Sequence, residues 1–328
     1  MKLVLKSLAV AAGLALAASS AWAQGYPNRV ITLIVPYSAG GPSDMIGRSV
    51  AESMTKTLGQ QVVVENVTGA GGTLGAARVA RADPDGYTLL IHHVALPASA
   101  SLYDNLTYDT ATAFQPLGLI NTGPMVLAAK KDFPANDAKE IIAKLKADGQ
   151  KTTVAHAGVG SNAHLCALLL QKAVGQQFTL VGYRGTGPAM TDLIGGQVDV
   201  LCDQSTNAVG PVNAKSIKGY AVSSKERLPA LKDLPTLDEA GLKGFEFIIW
   251  HGLYAPKGTP DDVVKKLNDA LLIALKDESI IKRFSDVGTK TFPEAERTPE
   301  AHRKRLMSEL ESWKRVIAES GASAKAQN

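Results

Sequence analysis

Val35-Pro36-Tyr37-Ser38-Ala39-Gly40-Gly41-Pro42-Ser43-Asp44 decides how the rest of the chain is read. The β-branched run 30–35 before it has the length and composition of a strand, and residues 43–58 after it carry apolar side chains at helical spacing. The stretch is therefore a strand-to-helix turn, with Ser43 as the expected N-cap. Glycines let backbone N–H groups come close to a ligand, and a helix N-terminus carries partial positive charge, so a carboxylate or phosphate is stabilised at such a turn. A capped turn with no ligand has the same sequence, so the motif has to be weighed with its neighbours.

Outward from this turn the alternation repeats. Residues 62–65 and 87–91 read as strands, and 74–81 as a helix. Residues 137–147, 163–174, 187–194 and 205–214 read as helices, with strands at 152–155, 178–181, 198–202 and 217–222. Strand and helix in alternation favour parallel sheets with crossover helices. Polar-faced helices at 260–276, 279–287 and 298–320 close the chain and are expected to wrap the outside of a lobe. No repeat or low-complexity linker marks a boundary.

Two further turns share the first one's form. Gly158-Val159-Gly160-Ser161-Asn162-Ala163-His164 also runs from strand to helix, and two such cradles would suit a dicarboxylate. Arg184-Gly185-Thr186-Gly187-Pro188 adds a guanidinium whose planar fork matches a carboxylate, although a lone arginine is as readily a surface charge. Asp203-Gln204-Ser205-Thr206-Asn207 has the look of an Asx-type cap with polar side chains facing a cleft, or of a plain helix cap. Histidines 92, 93, 156, 164 and 251 fall near strand ends, and no pair has the helical spacing of metal ligands. Each reads as a hydrogen-bond donor or a structural histidine, with His93 and His164 favoured for ligand contact.

Enzymatic readings lose support on the same residues. Gly160-Ser161 lacks the Gly-x-Ser-x-Gly spacing of a hydrolase elbow, and no Gly-Lys-Ser/Thr completes a P-loop. Gly69-Ala70-Gly71-Gly72-Thr73-Leu74-Gly75 approaches a dinucleotide fingerprint, but its third glycine is one place late and the segment is far from the first strand. No cofactor and no metal is expected. The formal net charge is only +4 and the basic residues are scattered, which excludes a nucleic-acid-tracking stripe.

The first residues add a compartment. Lys2 and Lys6, the apolar run 8–18 and Ala21-Trp22-Ala23 before Gln24 make residues 1–23 a cleaved secretory signal. The apolar run is well short of the roughly 20 residues that span a bilayer. Cys166 and Cys202 are the two cysteines of an exported chain, so a disulfide is the favoured reading, with two buried thiols as the alternative.

Taken together, the first turn, Asp85-Gly86-Tyr87-Thr88-Leu89-Leu90, Tyr183-Arg184-Gly185-Thr186-Gly187-Pro188-Ala189 and Asp192-Leu193-Ile194-Gly195-Gly196-Gln197-Val198-Asp199 resemble one family. Leu234-Pro235-Thr236-Leu237-Asp238-Glu239-Ala240-Gly241 and Tyr254-Ala255-Pro256-Lys257-Gly258-Thr259-Pro260 extend the likeness over the mature chain. It is the tripartite tricarboxylate transporter receptor family, also called Bug. The resemblance implies an α/β, two-lobed periplasmic binding protein fold, type II-like, each lobe a mixed sheet flanked by helices with a ligand cleft between them. The first lobe would hold 24–122 plus 247–328 and the second 123–246. It also implies a monomeric, non-catalytic periplasmic receptor that captures a small organic carboxylate, di- or tricarboxylate or aromatic, and delivers it to the membrane subunits of the transporter.

The ligand-binding set carried over is Tyr37, Ser38, Gly40, Gly41, Pro42, Ser43, Asp44, Val159, Gly160, Ser161, Asn162 and His164, with Asp203 at a position that tunes selectivity. His93, Arg184, Thr186 and Asn207 join it from the residue reading above. Two departures bear on the ligand: Arg184 stands where lysine is more usual, changing a point charge to a fork, and His92-His93 stands where many relatives have small polar residues, which implies a bulkier, aromatic or differently hydrogen-bonded solute. A ligand sensor with a signalling partner and a secreted enzyme using the histidines are the rival functions.

Overall fold

The computed structural model describes residues 25–320, so the expected signal 1–23 lies outside the described residues. Strand β1 (Ile31–Val35) is buried at four of its five positions, as a strand covered on both faces must be. It pairs in parallel with β2 (Val62–Asn66) and β3 (Thr88–His93), with α1 (Pro42–Leu58) and α2 (Thr73–Ala80) as the intervening helices. Ile31, Leu33 and Val35 pack with Ile46, Val50 and Met54 of α1 and with Leu267 and Leu271 of α8 (Asp261–Ala274). Each such leucine or isoleucine contributes roughly 1.5–3 kcal/mol by leaving water.

A second parallel set repeats the plan. Strand β5 (Thr153–His156) lies between β6 (Thr179–Gly182) and β7 (Val200–Gln204), with α5 (Asn162–Val174) and α6 (Thr186–Ile194) as crossovers. One long strand, β4 (Phe114–Lys130), joins the two sets. Its first part, up to Pro124, pairs antiparallel with β9 (Ile248–Pro256), and β9 in turn pairs with β3. From Met125 on, β4 pairs instead with β7 on one side and β8 (Ile217–Val222) on the other. The resulting order is β2-β1-β3-β9-β4-β7-β5-β6. The outer strands are parallel, as the alternation predicts, and the joining strands make each set mixed.

The family resemblance implies strands joining the lobes, but the residue reading places neither β4 nor β9, nor helix α3 (Ala95–Leu102). Pro116, Gly118, Gly123 and Pro124 in β4 read as strand breakers. In the fold they sit where the ladder is irregular: the register shifts between Pro116 and Gly118, and Pro124 is the last residue before the partners change. The chain's second passage between the two sets lies beside the first. Ser223 Oγ accepts the Met125 N–H at 2.8 Å and donates to the Phe247 carbonyl, while the Phe247 N–H returns to the Ser223 carbonyl at 2.9 Å. The two crossings are thus fastened at one point.

The last helix, α10 (Pro299–Ser320), lies against α3 and β4. Near its end, Lys172 of α5 pairs with Glu319 at 2.8 Å. The closing helices therefore cover one sheet, as expected, and α10 also touches the second set.

Candidate functional site

Each parallel set ends its strands at the same place, and the turns that follow face one another. At the first turn the Tyr37 side chain is buried and its hydroxyl donates to the Gly71 carbonyl at 2.7 Å. Helix α1 begins at Pro42 with Gly41 as N-cap, and no side chain caps it. Ser43 is therefore not the cap: Pro42 has no N–H to satisfy and takes the first helical position, which puts Ser43 inside the first turn. Its hydroxyl is 3.2 Å from His251 Nε2.

Asp44 holds the loop. Its carboxylate accepts from the Gly40 N–H at 3.0 Å, Arg48 Nε at 2.9 Å and Asn66 Nδ2 at 2.9 Å. Burial pushes this carboxyl up, but those hydrogen bonds and the Arg48 charge outweigh it and leave the group below its ordinary range.

At the second turn Ser161 is the N-cap of α5, accepting from the N–H groups of His164 at 3.3 Å and Ala157 at 3.2 Å. Asn162 follows, 3% exposed, and neither its Nδ2 nor its Oδ1 has a hydrogen-bond partner. A buried amide without partners costs free energy unless something from outside the fold completes it. His164 turns the other way: it is fully buried, its Nδ1 accepts the Gly160 N–H at 3.2 Å, and its ring lies 4.9 Å from that of His156. Cys166 and Cys202 form a disulfide that ties α5 to β7, a few residues from both Asn162 and Asp203.

The third turn brings in Thr186 at the start of α6, while the Arg184 side chain is exposed and only its carbonyl faces the first turn, accepting the Ser38 N–H at 3.2 Å. Asp203 is the next-to-last residue of β7, not the cap of α7 (Ser205–Asn213), whose N-cap is Gln204. It accepts from the Gln204 N–H at 2.8 Å and from Asn207 Nδ2. Burial drives the Asp203 carboxyl up to about 6, against the pull of Asn207, Gln204 and Thr186.

These pieces line a tight cavity of about 20 Å³, room for little more than a water molecule, so an organic ligand would enter only as the facing turns part. Tyr37, Gly41, Pro42, Ser43 and His93 line it from one side, and Ser161, Asn162, Thr186 and Asp203 from the other. Ala157, Ala163 and Gln204 complete the lining, the last two from motifs quoted above but none of the three in the expected ligand-binding set. Ser38, Gly40, Asp44, Val159, Gly160, His164, Arg184 and Asn207 do not line it. His93 stacks on Tyr37 with ring centroids 4.8 Å apart, and its Nδ1 accepts the Ala95 N–H at 3.2 Å, which puts the proton of the neutral ring on Nε2. Burial lowers His93 far below its ordinary value and takes His92 and His251 down to about 3, so all three rings are neutral at physiological pH.

The lining contains neither lysine nor arginine. An anion in this cavity would meet the N-termini of α1 and α5, the hydroxyls of Ser43 and Thr186 and the Asn162 amide, and would face the Asp203 carboxyl, whose protonated form favours such a ligand. Among the described residues no group of three or more histidine, cysteine or acidic side chains is arranged to hold a metal ion.

Fold and cleft together define an α/β periplasmic binding protein, with mixed sheets flanked by helices and a cavity between facing turns. The profile of the family described as "Tripartite tricarboxylate transporter family receptor" matches residues 46–322, and the chain belongs to that family. A UPF0065 protein from the TAR-I ttuE-ttuC' intergenic region of Agrobacterium vitis is 47% identical over 296 residues, 90% of this chain and 86% of that protein. Among solved structures, the periplasmic binding protein BugD superposes with a TM-score of 0.88 at 44% identity, covering 91% of this chain and 99% of BugD. MatC from Rhodopseudomonas palustris with bound malate gives a TM-score of 0.86 at 39% identity, covering 89% of this chain and all of MatC. An R. palustris protein with adipate gives 0.86 at 29%, covering 91% of this chain and 99% of that one. The family resemblance read from the motifs therefore holds.

Proposed function

We propose that this chain is a periplasmic receptor that binds a small organic carboxylate between two closing lobes and delivers it to the membrane subunits of a tripartite transporter. The observation that carries the reading is Asn162: a buried amide with both polar atoms unpartnered, facing the cavity at the start of α5 and opposite the start of α1. A carboxylate bound there would accept from Asn162 Nδ2 and from backbone N–H groups at the two helix starts, with no cation needed. Relatives whose structures contain malate and adipate support the ligand class. The lobes we propose are 24–122 with 247–328, and 123–246; the change in the partners of β4 between Pro124 and Met125, two residues further on, supports this division. The role is binding and not catalysis, and residues 1–23 are the export signal.

A thermal-shift screen of the mature chain against aliphatic, aromatic and amino-acid carboxylates tests this, followed by calorimetry on Asn162→Ala. A ligand at a hundred times its Kd stabilises the folded state by about 2.7 kcal/mol, a clear rise in Tm. Asn162→Ala is expected to weaken binding by about ten-fold or more. No rise with any carboxylate, or unchanged affinity in the variant, overturns the reading.

A further inference from the structure

Between β2 and α2 the chain makes a turn in which Gly69, Ala70, Gly71 and Gly72 all have positive φ, 132°, 45°, 62° and 101°. Ala70 is a non-glycine residue held in the left-handed region, a conformation that persists only where its surroundings enforce it. The Tyr37 hydroxyl grips the turn at the Gly71 carbonyl, and Thr73 Oγ1 donates to the Ala70 carbonyl at 2.9 Å. Turned this way, Gly71 abuts the opposite side of the cleft, where a Cβ on it would lie 1.8 Å from the Val159 carbonyl oxygen. That same oxygen accepts the Tyr103 hydroxyl at 2.8 Å.

A second seam lies at the third turn. The Ser38 N–H donates to the Arg184 carbonyl, and a Cβ on Gly185 would lie 2.0 Å from Ser38 Oγ and 2.9 Å from Ser38 N. Gly71, Tyr103, Val159, Arg184 and Gly185 do not line the cavity.

We infer that Tyr103, Gly71 and Gly185 form a latch that sets the closed population of the cleft, and thereby affinity for every ligand, without touching any ligand. This rests on the receptor reading above. The thermodynamic signature is distinctive. Apparent affinity scales with the fraction of binding-competent protein, so a weaker latch multiplies all dissociation constants by one factor. A change in a cavity residue acts on each ligand differently.

The test uses malate and adipate on the mature chain and on two variants. Gly185→Ala is preferred to a change at Gly71, because Gly185 is extended (φ 163°) and alanine meets no backbone strain there. Calorimetry is expected to show both ligands weakened by the same factor, about five-fold for Tyr103→Phe, the loss of one hydrogen bond, and ten-fold or more for Gly185→Ala. Amide exchange at Ser38, read without ligand, is expected to speed up in Tyr103→Phe, whose lost bond belongs to the other seam. Unchanged Ser38 exchange, or weakening factors that differ more than about two-fold between the ligands, overturns the latch. Faster exchange in a protein that binds neither these acids nor any carboxylate of the thermal-shift screen would sink the carboxylate reading and leave the latch standing.

Discussion

Asp203 carries a carboxylate that the fold buries completely with only neutral hydrogen-bond donors for partners. Its folded value of about 6 lies above the ordinary 3.8, so between about pH 4 and 6 the native state holds a proton that the unfolded chain has released. At about 1.4 kcal/mol for each factor of ten, that displacement corresponds to about 3 kcal/mol. The sign follows from which state binds the proton: the contribution is complete below about pH 4, declines as pH rises, and is gone above about pH 6. Asp203→Asn removes the titration and nearly keeps the shape, with Asn207 free to turn its amide. At pH 7.5 the variant is expected to be more stable than the parent by about 1–2 kcal/mol, the remainder going to imperfect pairing of the new amide. Urea unfolding of both proteins from pH 4 to 8 gives the difference directly, and other titrating groups cancel in it. A difference that does not change with pH would refute the account of Asp203.

Reduction of the Cys166–Cys202 bridge is expected to lower unfolding free energy by about 2–4 kcal/mol, read as a fall in Tm with reductant; an unchanged Tm would mean the bridge constrains little. Ser161→Ala leaves two N–H groups of the second turn without their acceptor and is expected to cost about 1–2 kcal/mol. Ser43→Ala removes no cap but leaves the buried His251 Nε2 without its hydroxyl partner, and is expected to cost about 1–2 kcal/mol in the same unfolding assay, through the ring and not through the helix end.

The turns were legible because glycine and proline declare them. The predicted strand 217–222 matches β8 residue for residue, and the helix start at Asn162 falls one place from the predicted one. The joining strands were not legible. A strand that bends from one sheet to another uses the same prolines and glycines that end strands elsewhere, and only the partners at Pro124 and Met125 reveal the difference. Within the site, sequence marked the right loops but not the direction of every side chain. Asp44 is consumed by Gly40, Arg48 and Asn66, His164 turns toward His156, and Arg184 points to solvent, outcomes fixed by packing between segments far apart in the chain. Gln204, read with its neighbours as a polar residue facing a cleft but left out of the ligand-binding set, lines the cavity beside Asp203.

Ser223 sits where the two chain crossings meet, bonded at once to Met125 and Phe247. Two strands pinned at one level behave like a door on its post: they resist shear and separation but permit swing. Opening of the cleft is then expected to bend the chain beyond this fastening and not at it. Substitutions at Ser223 would therefore change how the two halves are joined without altering the lining of the cavity.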